Sequence, residues 1–159
     1  MEGAAGVASF TAAVQQMAPL LAALKDAPRH QVAPLAVPNT PGIYLFRDGE
    51  RPTYVGQSRT LRTRLKQHAG ATRGHNQASF AFNVAKREAA TAGVDVRRFG
   101  AALEADEDFV PHFNAARASV AALDVEFIEV PDPIVRTLFE VYAALVLDTV
   151  ELTPSRRTN

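Results

Sequence analysis

Residues 41–68 read PGIYLFRDGERPTYVGQSRTLRTRLKQH. Two short apolar runs, Gly42–Arg47 and Thr53–Gln57, flank a polar turn holding Asp48-Gly49, the dipeptide expected at a tight hairpin. A basic helix pattern follows at once, over about Thr60 to Ala69. Each strand sets a tyrosine beside a glycine, Gly42 with Tyr44 and Tyr54 with Gly56. Arg59, Arg62, Arg64, Lys66 and His68 then fall within ten residues. Paired phenols next to guanidinium groups suit a phosphodiester, because the arginine fork matches phosphate oxygens and phenols exchange protons.

Working outward, residues 7–26 place Val7, Phe10, Val14, Met17, Leu20, Leu21 and Leu24 at helical spacing, with Pro19 expected to kink or divide the helix. Pro28, Pro34, Pro38 and Pro41 make residues 27–41 an extended connector. Past the basic helix, Gly70 and Gly74 bracket a loop, and SFAFNVAKREAA reads as a helix that stops at Gly93. Residues 94–110 are ambiguous, with an acidic cluster most simply read as solvated surface. Pro111 opens another helix, and DVEFIEV alternates apolar residues with acids as a half-buried strand. Asp132 and Pro133 give the start signals of a last long helix. The division expected is a helix and proline-rich connector over residues 1–40 and the main domain over residues 41–159.

With 159 residues, the chain is long enough to bury a core. It has no cysteine, which excludes disulfides, thiolate metal sites and a cysteine nucleophile. No apolar run is expected to reach bilayer-spanning length, and the N-terminus lacks a basic region before its apolar part, so the expected location is cytoplasmic, with no membrane partner. The net charge is +0, but it is unevenly spread. From Arg51 to Arg98 ten basic residues face two acids, whereas from Phe99 to Thr153 eleven acids face two arginines. Such asymmetry between halves points to a face that binds a polyanion.

The triplets Gly42-Ile43-Tyr44 and Tyr54-Val55-Gly56, with nine residues between the two tyrosines and Arg64 ten residues after the second, resemble the GIY-YIG nuclease family. The resemblance implies an α+β fold: a small three-stranded mixed sheet containing a hairpin, flanked by helices, here with an N-terminal helix added. It implies a metal-dependent endonuclease that hydrolyses phosphodiester bonds in nucleic acid, DNA ahead of RNA because most members cut DNA. Tyr44 would be the general base beside the attacking water, Tyr54 would orient water or phosphate, and Arg64 would grip the scissile phosphate. Both phenols would need lowered pKa values, which Arg64 and a metal would favour. Four residues beyond Arg64, on one helix face, His68 would assist proton transfer. Glu140, a lone carboxylate on an apolar helix, would hold the metal, Mg²⁺ or Mn²⁺, since hard ions want oxygen ligands. The competing reading of Glu140 is an ion pair with Arg136 one turn back. Arg59, Arg62 and Lys66 are expected on the nucleic-acid backbone, His75 near the site, and Asn159 in the place of a downstream asparagine. Gln57 and Ser58 carry little weight. A homodimer through the N-terminal helix would suit a two-strand cut. The alternative function is a catalytically inactive nucleic-acid-binding or assembly module on the same fold.

Overall fold

The computed structural model describes residues 2–32, 36–70 and 74–152. In chain order these form α1 (Glu2–Val14), α2 (Met17–Asp26), β1 (His30–Gln31), β2 (Gly42–Asp48), β3 (Arg51–Ser58) and α3 (Leu61–Ala69). Then come α4 (Ser79–Thr91), α5 (Gly100–Glu104), α6 (Val110–Ala121), β4 (Asp124–Glu129) and α7 (Pro133–Val146).

The α+β class holds, but the sheet differs from the expectation. It has four strands in the order β1-β4-β2-β3, and every pairing among them is antiparallel. The added strand is only His30–Gln31, inside the proline-rich connector, pairing with Val125 and Asp124 at the edge of β4. Two residues carry no periodic signal, so only the partner strand reveals them. The mixed pairing fails because β4 meets β2 head to tail across the sheet, with Gly42 opposite Glu129 and Arg47 opposite Asp124.

The hairpin forms where Asp48-Gly49 places it, and Gly49 takes φ +57°, a conformation glycine adopts without steric penalty. Pairing is regular from Gly42 opposite Ser58 to Phe46 opposite Tyr54, then slips by a bulge that accommodates Pro52 on the outer strand. Gly42 is required by packing: a Cβ there would overlap the Ile128 carbonyl oxygen and Leu61 Cδ1. The first glycine of the motif thus lets β4 and α3 close onto the hairpin.

Alternation along β2 sends its side chains into two cores. Tyr44 and Phe46 join Tyr54, Leu61, Leu65, Phe80 and Val125 on one face, under α3, α4 and α6. Ile43 and Leu45 join Val55, Leu24, Val135 and Phe139 on the other, under α2 and α7. The strand β4 does not alternate as expected. Glu126 is buried at 1% exposure, because β4 is an inner strand covered on both faces. Its carboxylate accepts from Arg47 Nε at 3.0 Å and Arg29 Nε at 3.1 Å, which offsets the desolvation of the charge.

At α7 the start signals act as expected: Asp132 Oδ1 accepts from the backbone N–H of Ile134 at 2.8 Å and of Val135 at 3.0 Å, with Pro133 in the first turn. The N-terminal helix is divided, but at Gln15-Gln16, with Pro19 inside the first turn of α2 where its missing N–H breaks no helical bond. Residues 5–26, 22 in all, are long and apolar enough by length and composition to cross a membrane, which corrects the expectation that no run is. Within α2, Met17, Leu21 and Leu24 are buried in the second core.

Candidate active site

The second motif glycine explains how the two tyrosines meet. Tyr44 lies opposite Gly56 in the hairpin. A Cβ on Gly56 would overlap Cζ and the hydroxyl oxygen of Tyr44, so the phenol lies across the strand in the space that glycine leaves. Tyr54 is on the same face, its ring centroid 6.1 Å from that of Tyr44 and stacked on Phe80 at 4.3 Å.

Helix α3 begins directly after β3 and crosses this face, burying Leu61, Leu65 and His68. That register brings His68 Nε2 to 3.0 Å from the Tyr44 hydroxyl and Arg64 Nε to 3.2 Å, where it donates to the same oxygen. The rest of the Arg64 fork is engaged too. Nη1 donates to the Gln77 carbonyl at 3.1 Å, and Nη2 to Ser79 Oγ at 2.6 Å. The Tyr54 hydroxyl bonds with Tyr44 and Ser79. Three phenol and hydroxyl oxygens, an imidazole and a guanidinium therefore share one network.

This network is deep. Tyr44, Tyr54 and His68 are at most 1% exposed, and Arg64, half-buried, covers their polar ends. Burial sets the titration. Desolvation pushes Tyr44 well above the usual phenol range and raises Tyr54, outweighing the nearby Arg64 charge. The expected lowering of the phenol pKa values is thus reversed: removing a phenolate from water costs more than one guanidinium returns. Desolvation, and then the Arg64 charge, bring His68 down to about 3, so its imidazole is neutral. His68 Nδ1 is buried without a hydrogen-bond partner.

Glu140 approaches from the other side. Gln57 is opposite Ile43 and so faces α7. Because β3 is an edge strand, its outward side has no neighbouring strand among the described residues. The Gln57 backbone N–H donates to Glu140 Oε1 at 3.1 Å, and Gln57 Nε2 donates to Oε2 at 2.7 Å. The carboxylate therefore sits at the free edge of the sheet, one residue along from Gly56. Its charge contributes to raising the Tyr54 pKa. Arg136 is turned toward Gln57 Oε1 at 3.3 Å and the carbonyls of Val130 and Pro131.

A single divalent ion fits this donor set. No cluster of three or more His, Cys, Asp or Glu exists among the described residues. Gln57 donates to each oxygen of the carboxylate, which in its ionised form only accepts. A hard ion that keeps several waters and leans on one carboxylate and substrate phosphate needs no more.

The remaining residues spread outward. Arg59, Arg62 and Lys66 are exposed, and the last two line an open hollow with Val37 and Pro38. His75 is drawn to α5, where Nδ1 lies 3.0 Å from Glu104 Oε1 and the ring packs on Phe82. Asn159 lies outside the described residues. Sequence reasoning passed over Gln57, Ser79 and Gln77. A polar residue directly after an edge-strand glycine was the available signal for the first, and serine at a helix start near the arginine for the second.

Residues 40–105 match the model of the GIY-YIG catalytic domain. The match takes in Tyr44, Tyr54, Arg64 and His68 and ends before Glu140. Among curated proteins, the chain is similar to the UvrABC system protein C of Aquifex aeolicus, 49% identical over 35 residues, which is 22% of this chain and 6% of the relative. It is also similar to the same protein of Deinococcus radiodurans, 50% over 32 residues (20% and 5%), and of Salinispora arenicola, 44% over 46 residues (28% and 7%). The chain thus matches only a small part of the length of these relatives. No solved structure matches significantly.

Proposed function

We propose that the protein is a metal-dependent endonuclease that hydrolyses phosphodiester bonds in nucleic acid, DNA ahead of RNA. One observation carries the reading: Tyr44, Tyr54, His68 and Arg64 share a hydrogen-bonded network at Gly56, and Glu140 is held at the neighbouring residue of the same strand. Residues 41–159 would form the catalytic unit, with residues 1–40 appended.

In this reading Arg64 exchanges its bonds to Ser79 and Gln77 for the phosphate oxygens, and its planar fork suits them. The phosphate charge then offsets Arg64, one of the two causes that keep His68 poorly basic. Tyr44 can take a proton from water while passing its own to His68 Nε2 across 3.0 Å. Tyr54 holds the Tyr44 oxygen in place. Glu140 would hold an Mg²⁺ or Mn²⁺, which would supply positive charge for the phosphate oxygens and the leaving group. Arg59, Arg62 and Lys66 contact the backbone without reading sequence. A homodimer through α1, whose Val7, Phe10 and Val14 are exposed, would give two cuts, testable by sedimentation of wild type and Phe10→Glu.

The burial of both phenol rings and the occupation of the Arg64 fork favour a second reading, an inactive nucleic-acid-binding or assembly module. Plasmid nicking with Mg²⁺ separates them. Cutting by wild type and not by Glu140→Gln supports the enzyme, whereas retained DNA binding with no cutting in Mg²⁺ or Mn²⁺ supports the module.

A further inference from the structure

We infer that Gln57 is the positioning residue that fixes the Glu140 carboxylate for metal binding, an inference that deepens the reading of Glu140 as the metal-holding acid. Gln57 makes three bonds that cannot be rearranged freely. Its backbone N–H donates to Glu140 Oε1 at 3.1 Å, its side-chain Nε2 donates to Oε2 at 2.7 Å, and its Oε1 accepts from Arg136 Nε at 3.3 Å. A guanidinium only donates and a carboxylate only accepts. The amide oxygen must therefore face Arg136 and the amide nitrogen must face Glu140, so the flip of the amide is decided by chemistry.

Arg136 is itself immobilised. It is buried at 5% exposure, and its Nη1 donates to the Val130 carbonyl at 3.0 Å and the Pro131 carbonyl at 3.2 Å. The restraint runs from the β4–α7 turn through Arg136 and the Gln57 amide to both carboxylate oxygens. Two donors set side by side, one from the backbone and one from the side chain of the same residue, hold the plane of the carboxylate. Groups that orient a metal-binding carboxylate in this way typically affect affinity by about 10–100-fold.

The test uses Gln57→Met, which keeps length and apolar volume and removes both amide functions, with thermal unfolding as the folding control. Mn²⁺ alone is titrated into the intact chain and followed by paramagnetic broadening, with wild type, Glu140→Gln and Gln57→Met compared. The expected result is binding by wild type, loss in Glu140→Gln, and roughly tenfold weaker binding in Gln57→Met. Equal affinity of wild type and Glu140→Gln overturns the metal role of Glu140 itself. Loss in Glu140→Gln with unchanged affinity in Gln57→Met overturns the role of Gln57 alone. A metal-free readout stands beside these: the side-chain amide protons of Gln57 should shift as Glu140 titrates, and this pH response should vanish in Glu140→Gln. Amide resonances indifferent to that titration would also overturn the proposal.

Discussion

The Tyr44 phenol lies across Gly56, occupying the space where any other residue would place its Cβ. Substituting Gly56→Ala sets a methyl group against Cζ and the hydroxyl of a ring that is 1% exposed and cannot move outward. Overpacking of this kind costs about 1–3 kcal/mol. Denaturant unfolding should report that loss, and plasmid nicking should fall further than stability alone explains, because the hydroxyl is displaced from His68 and Arg64.

Replacing Tyr44→Phe keeps the ring and removes the oxygen shared by His68 Nε2 and Arg64 Nε. Leaving buried polar groups unsatisfied costs about 1–3 kcal/mol. If Tyr44 handles the proton, nicking falls by about 10²–10⁴-fold. A fall in stability with full nicking activity would remove Tyr44 from the chemistry.

His68 makes stability depend on pH. Its folded value is lowered to about 3 from the ordinary imidazole value of 6.5, so between these the unfolded chain binds the extra proton. This contribution to stability is complete above the unfolded value and is lost as pH falls toward the folded one. Unfolding free energy measured from pH 7 to pH 4 should therefore decline, and His68→Leu should show a shallower decline. Equal slopes would mean that His68 is not held neutral by its surroundings.

The Arg64 fork cannot be replaced by an ammonium. Nε, Nη1 and Nη2 reach Tyr44, Gln77 and Ser79 in three directions. Arg64→Lys should leave the fold intact by circular dichroism and lower nicking about as far as Arg64→Ala. Ser79→Ala removes the hydroxyl bonded to both Arg64 Nη2 and Tyr54, about 1 kcal/mol per bond, and should lower activity several-fold. Substantial rescue by lysine would show that charge, rather than planar geometry, is what Arg64 supplies.

Much of the site was legible because its parts are local. The hairpin follows from Asp48-Gly49, the α7 start from Asp132-Pro133, and the spacing from Arg64 to His68 fixes both on the face of α3 that meets Tyr44. What escaped is non-local. His30–Gln31 becomes a strand only because β4 offers it an edge. The burial of Glu126 follows from the inner position of β4, and the raised phenol values from helices that close over the sheet. Gln57 looked like an ordinary polar residue, and only the approach of α7 to the sheet edge gives its amide two charged neighbours.

Glu140 also occupies a hydrogen-bond donor on the edge of the sheet. By taking the outward N–H of Gln57, the acid covers one donor of an edge strand along which a second polypeptide could zip. An alanine there exposes that backbone donor and deletes a charged sentinel at once, favouring strand-to-strand clumping in concentrated solution. Glutamine, which retains an acceptor of the same reach, silences the acid while keeping the border sealed.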